Sequence, residues 1–219
     1  MGDRSTVRIE AVGRSPEEAV AALPGLYSGT QWSSRGEPGR YEYRYSALGD
    51  DVMSFRTSRM SGTIRGDIPV SDDLVVQWLV SGSASIDPDG EDLRLLPGPP
   101  LLFPTERPFV FDYREYDQRL VHLSRSGVAA IAAERGAVGA IRFDHRAVAT
   151  AAATALWFDT VGLVSRAVQR GPVGDLLWQD LARMTTAAFL ELYPPISAAT
   201  DPLVQPGTGR VRAAVEFVR

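Results

Sequence analysis

"YEYRYSALG", residues 41–49, puts Tyr41, Tyr43 and Tyr45 on one side of an extended chain and Glu42 and Arg44 on the other. Aromatic residues alternating with charged ones at a period of two predict a strand with one buried face. Working outward, "VMSFRTSRMSGTIRGDI" (52–68) holds two weaker extended runs, and "LVVQWLVSGSASI" (74–86) a strong one. "DLRLLPGPPLLF" (92–103) reads as two short strands broken by Pro97, Gly98, Pro99 and Pro100, before "FVFDYREY" (109–116) and "RLVHLSR" (119–125). Strands of this length at short intervals, separated by turn residues, predict a small barrel or sandwich over about 40–125.

The pattern changes near residue 126, where the sequence becomes rich in Ala and Leu. "GVAAIAAERG" suits a short helix with Gly136 past its end, since glycine closes helices in the left-handed conformation. A long helix is expected from about 145 to 170 and a second from about 174 to 193, the latter stopped by Pro194 and Pro195. The "GPVG" between them predicts an antiparallel hairpin. Upstream, Ser15, Pro16 and Glu18 have the spacing of a capping box, which predicts a helix over about 16–22. Residues 196–208 are poor in apolar side chains and read as a linker. In "RVRAAVEFVR" (210–219), Val211, Ala214, Val215 and Val218 fall at helical spacing, so 209–219 reads as an amphipathic helix belonging to a further unit.

Composition narrows the function. The 219 residues include no Cys, which removes disulfides and thiolate metal sites. All 23 basic residues are Arg, so a phosphate loop that needs Lys is unavailable. The net charge of −4 gives no footprint for nucleic acid on this chain. Apolar runs are short, and no signal-peptide order opens the sequence, so a soluble cytoplasmic protein without membrane contact is expected. No nucleophile elbow or triad order occurs. "IDPDGEDL" carries Gly90 at the wrong offset for a calcium loop and reads as a hairpin turn with Pro88, Asp89 and Gly90 at its tip.

The stretches "SPEEAVAALPGLYSG", "YRYSALGDDVMSFRTSRMSGTIRGDIPVSDDLVVQWLVSGSASI" and "LRLLPGPPLLFPTERPFVFDYREYDQRLVHLSR" together resemble the N-terminal effector-binding domain of AraC/XylS-type transcriptional regulators. The resemblance covers about 15–195, and "GRVRAAVEFVR" looks like the first helix of that family's C-terminal helix-turn-helix domain. It implies an α+β fold, a cupin-like antiparallel β-barrel followed by a C-terminal antiparallel helix pair. Residues 1–195 would form the effector-binding and dimerisation domain, with the barrel over about 40–125 and helices over about 126–195. It also implies a small-molecule effector, a homodimer, and DNA contact only through a C-terminal domain this chain does not contain.

A cupin-type enzyme is the first alternative, and a dimerisation module without ligand the second. Metal-dependent cupins need clustered histidines, whereas His122 and His145 stand 23 residues apart. We therefore expect no catalytic residue, no metal and no cofactor. His122 is expected to cap the barrel interior or donate one hydrogen bond, and His145 to sit exposed at a helix start.

Alternation places Trp78 with Val76 and Val80, with Gln77 pointing the other way, and places Phe109, Phe111 and Tyr113 opposite Asp112 and Arg114. Trp78, Phe103, Phe111 and Tyr113 are the candidate aromatic lining of a pocket, with Arg56 as the anchor for an anionic effector. The competing reading is core packing for the aromatics and a surface position for Arg56. Trp157, Leu163, Leu177, Leu181 and Met184 exceed what one buried stripe on each long helix needs and are the candidate dimerisation residues.

Overall fold

The computed structural model describes residues 6–87, 90, 92–171 and 173–197. The chain opens with β1 (Thr6–Gly13), α1 (Pro16–Ala22) and a 3-10 turn at Pro24–Leu26. It continues through β2 (Ser33–Arg35), β3 (Glu42–Asp50), β4 (Met53–Ile68), β5 (Asp73–Ile86), β6 (Leu93–Leu95), β7 (Leu101–Leu102) and β8 (Phe109–Ser124). The rest is α2 (Arg125–Glu134), β9 (Ile141–Arg142), α3 (Ala151–Gln169), α4 (Asp175–Leu192) and β10 (Ile196–Ser197).

The fold is α+β and cupin-like. β1 to β8 form one sheet in the order β1-β3-β4-β8-β5-β6, with β2 on β4 and β7 on β5. Its central strands pair antiparallel. β4 is handed from β3, which pairs it over 54–61, to β2, which pairs it over 63–65. At that handover the β4/β8 register slips between Met60 and Thr63, and the β5/β8 register slips between Leu79 and Ser83. Glu115 in β8 and Gly82 in β5 adopt φ +44° and +85° there. These bulges bend the sheet around an interior and change which parity of residue faces it. In β8 the inward set is Phe109, Phe111 and Tyr113 before the bulge and Tyr116, Gln118, Leu120 and His122 after it, all buried.

Two cores result. The interior one holds Tyr41, Tyr43, Tyr45, Ile64, Phe111, Tyr113 and Leu120, and the expected face of the 41–49 strand is the buried one. The second lies between the outer sheet face and the helices, with Leu74, Val76, Val121 and Leu123 against Trp157, Val164, Leu181 and Phe189. Trp178 Nε1 ties the helices to the sheet by donating to Asp50 Oδ2 at 2.6 Å. Asp50 is itself buried and accepts from the backbone of Val52 and Met53.

Several expectations change. The sheet begins at Thr6, not near 40, because β1 pairs along its whole length with Tyr43–Asp50 of β3. The paired runs expected in 52–68 and in 109–125 are each a single 16-residue strand continuing through its bulge. The first long helix starts at Ala151 rather than 145, since the Thr150 hydroxyl accepts from Ala153 N and caps it. His145 therefore lies before the helix, half-buried rather than exposed at its start. Ile196 and Ser197, expected to open the linker, pair instead with Ile141–Arg142. The remaining linker positions and the 209–219 helix lie outside the described residues. The N-terminal helix matches its expected span, with Ser15 Oγ accepting from Glu18 N and Glu18 reaching back to Arg14 N.

Candidate functional site

The deep interior is filled. Gln77 is fully buried there, and its Oε1 accepts from Tyr113 Oη at 2.5 Å and from Gln118 Nε2. Tyr116 and Ser58 pair their hydroxyls at 2.9 Å. Burial pushes both the Tyr113 and Tyr116 phenols well above their ordinary range, so they act as neutral hydrogen-bonding groups. The space left among Phe103, Phe111, Tyr113, Tyr116 and Gln118 is about 30 Å³, room for about one water.

A cavity that joins apolar walls to polar groups lies at the barrel mouth. The segment after α1 folds over the opening, where Asp67 accepts from Thr30 N at 2.8 Å, Gln31 N at 2.6 Å and Thr30 Oγ1 at 3.0 Å. Burial works upward on the Asp67 carboxyl, but these donors from Gln31 and Thr30 outweigh it and hold it below its ordinary value. Trp32 Nε1 adds a bond to Asp67 O at 2.9 Å. So pinned, the segment inserts the Tyr27 ring beside Trp32, Tyr45 and His122, with centroids 6.0 to 6.1 Å apart. Beside Tyr27 lies a cavity of about 270 Å³ with apolar walls from Leu26, Ile68, Val75, Phe103 and Phe109. Arg56, Asp73 and His122 supply its polar end.

Those polar groups are incompletely matched. Arg56, with a side chain only 12% exposed, donates from Nε to Ser54 Oγ at 3.2 Å and from Nη1 to Tyr45 Oη at 3.1 Å. Its nearest approach to the Asp73 carboxylate is 4.0 Å. Asp73 is instead close to His122 Nδ1, at 3.1 Å. His122 Nε2 is buried with no partner among the described residues. Burial pushes the His122 pKa down to about 4, with Asp73 opposing and Arg56 reinforcing that shift, so the imidazole is neutral at physiological pH.

The family model of the AraC-binding-like domain matches residues 41–191, which takes in β3 and nearly all of α4, and the walls of the mouth cavity apart from Leu26, Tyr27 and Ser28. The chain belongs to the AraC-binding-like domain family. Its fold is similar to that of the AraC-like transcriptional activator CuxR, with TM-score 0.58 and 12% identity, over 96% of this chain and 78% of that one. Smaller similarities reach KdgF from Halomonas sp. (TM-score 0.33, 15% identity, 44% of this chain and 89% of that one). An RmlC-like cupin from Shewanella frigidimarina is comparable (TM-score 0.32, 12% identity, 43% and 85%). The sequence finds no match among curated proteins.

Within this AraC-binding-like domain the expected lining residues separate. Phe111 and Tyr113 border the filled interior, Phe103 borders both the interior and the mouth, and Arg56 borders the mouth alone. Arg56 is therefore no surface residue. Trp78 is misplaced by the sequence reading: it packs on the outer core, edge-on to Phe158 of α3 with centroids 5.4 Å apart. Gln77 is the inward residue at that position, and Val80 is exposed. Tyr27 and Asp73 were not singled out by the sequence. Tyr27 sits in a loop without periodicity, and Asp73 opens a strand as an ordinary polar end.

The helix candidates also divide. Trp157 and Leu181 are buried in the outer core of the single chain, which corrects their assignment to a dimer surface. Leu163 and Met184 remain exposed, as does Leu177, alongside Leu156 and Leu176. Among the described residues no group of three or more His, Cys, Asp or Glu comes together, and no helix is long and apolar enough to cross a membrane.

Proposed function

We propose that this chain is the sensory and dimerisation part of an AraC-type transcription regulator, and that it binds a small effector at the barrel mouth. The observation that carries this reading is the cavity of about 270 Å³ in which apolar walls meet a buried guanidinium and a buried imidazole nitrogen without a partner. Ligand sites combine such walls with a few fixed polar groups. Other buried side-chain atoms of the described residues lack a partner too, Gln77 Nε2 and Trp157 Nε1 among them, but they do not line this cavity, whereas His122 does. Membership of the AraC-binding-like family supports a regulatory rather than catalytic use of that cavity.

The exposed leucines of α3 and α4 and Met184 would pair two copies, because contiguous apolar surface on a helix pair gains by burial. A helix-turn-helix domain following the expected 209–219 helix would contact DNA. Effector binding would act by favouring one arrangement of the two copies, in proportion to its differential affinity for the two. The filled interior favours one competing reading, a pairing module that takes no guest. A thermal-shift screen of small metabolites on the 219-residue chain separates the two. A compound that raises the melting temperature of the parent protein but not of Tyr27→Ala supports the sensor. A broad screen without such a compound supports the pairing module.

A further inference from the structure

We propose that the mouth cavity selects a small 2-hydroxy acid with an apolar body, its carboxylate held by Arg56 and its hydroxyl donating to His122 Nε2. This deepens the sensor reading above and rests on it.

The first step is the charge. Arg56 presents five N–H donors, and its close partners are the neutral hydroxyls of Ser54 and Tyr45. The Asp73 carboxylate at 4.0 Å is outside hydrogen-bond reach. A cation this buried is stabilised by an anion that meets it directly, and a planar guanidinium suits a carboxylate.

The second step is the proton. His122 Nδ1 faces the Asp73 carboxylate, which can only accept, so Nδ1 carries the hydrogen and Nε2 is left as a lone pair. A bare carboxylate cannot satisfy that atom. The guest must bring an O–H or N–H donor as well as an anion.

The third step is spacing. Ser54 is opposite His122 and Arg56 is opposite Leu120 across β4 and β8, so Arg56 and His122 are diagonal neighbours on one face. Such pairs stand about 7–8 Å apart along the sheet, within reach of two adjacent groups on one small molecule. Acid and hydroxyl on neighbouring carbons meet that requirement. The cavity is small, and Tyr27, Ile68, Phe103 and Phe109 offer the remainder of the guest an apolar wall.

Mandelate, phenylacetate and mandelamide test this, because the second lacks the hydroxyl and the third lacks the charge. Calorimetric titration of the full chain is expected to give mandelate the highest affinity, with each of the others weaker by about tenfold or more. Arg56→Gln should bring mandelate down to the level of mandelamide, and His122→Phe should bring it down to that of phenylacetate. Equal affinities for the three compounds in the parent protein overturn the proposal, and this comparison needs no variant to fold. Absence of mandelate binding up to about 10 mM overturns it too. If neutral compounds then stabilise the parent protein but not Tyr27→Ala, the pocket stands and only the ligand class falls. If nothing binds, both fall.

Discussion

Acid should destabilise this domain through His122 before its carboxylates titrate. The ring is buried and its pKa is pushed down to about 4, against 6.5 for the free side chain. Between those values the unfolded chain takes up a proton that the folded one refuses, so stability rises with pH across that window. The contribution is fully present above the free value and is lost as pH falls towards the folded one. At about 1.4 kcal/mol for each tenfold change, the drop from about pH 7.5 to about pH 5 is about 2 kcal/mol, approaching about 3 kcal/mol in stronger acid. For a domain of this size that corresponds to about 4–8 °C in melting temperature over the first interval. The groups that face the ring are Asp73, Arg56 and Tyr27, and the pull of Asp73 opposes the downward shift without reversing it.

The assay is calorimetric melting of the parent protein and His122→Gln across that range. Losing the Asp73 contact gives the variant a constant offset, whereas the slope of the difference with pH isolates the imidazole. His145, also shifted downward by burial, is common to both proteins and cancels. Asp67, Asp92 and Glu134, whose carboxyls are held low, act only in stronger acid and also cancel. A difference that stays flat to within about 0.5 kcal/mol would refute the reasoning. So would a proton NMR titration of the His122 ring with its midpoint near the free value.

Trp178→Phe removes the donor to buried Asp50 Oδ2 and should cost about 1–3 kcal/mol in denaturant unfolding. Gly82→Ala should cost more than about 2 kcal/mol or prevent folding, because a Cβ would lie 2.3 Å from Glu115 O at a backbone with φ +85°. Trp78→Ala should lose about 2 kcal/mol of stability through its contact with Phe158 while leaving the affinity of any mouth ligand unchanged, as titration of the folded variant would show. Leu163→Glu combined with Leu177→Glu should convert a dimer to a monomer in sedimentation with little change in melting temperature, since both side chains are about half exposed in the protomer.

What the sequence revealed depended on how many faces of an element are buried. The 41–49 strand alternates cleanly because its tyrosines face the interior while Glu42 and Arg44 face out, so its orientation was legible. "LVVQWLV" could not be read that way. Leu74 and Val76 belong to the helix-covered core and Val75 and Leu79 to the interior, so both faces are apolar and periodicity does not say which is inside. Gln77 then looked like the outward residue because it is polar. It is inward, with Tyr113 and Gln118 donating to its Oε1, while its Nε2 has no partner among the described residues. β1 had a readable signal in Val7, Ile9 and Ala11, which share one face. The bulges were marked only in part: Gly62 in β4 and Gly82 in β5 stand at the register slips, whereas the left-handed backbone of β8 falls on Glu115, which gives no such signal. The site followed the same division: Arg56 and Phe103 were visible on strand patterns, whereas Tyr27 reaches the mouth only because Asp67 pins its loop from 37 residues away.

The link from mouth to helices is built into alternation itself. His122 faces the cavity while its neighbours Val121 and Leu123 face the outer core, and Asp73 lies at the mouth next to Leu74 of that same core. A guest that draws His122 or shifts Asp73 therefore acts on residues adjacent to the seat of Trp157 and Phe189. Those residues are buried in one continuous cluster with the strands, so a displaced strand end would be answered by repacking of α3 or α4. The side chains left exposed on those helices, Leu163, Leu177 and Met184, are the ones whose alignment with a second copy such repacking would alter. Energy of association alone could not produce that response, because a guest that bound both helix arrangements equally would shift neither. If a guest controls pairing as proposed, the discriminating contact must come from groups whose position differs with the helices, and at the mouth the candidates are His122 and Asp73 rather than the aromatic residues of the filled interior.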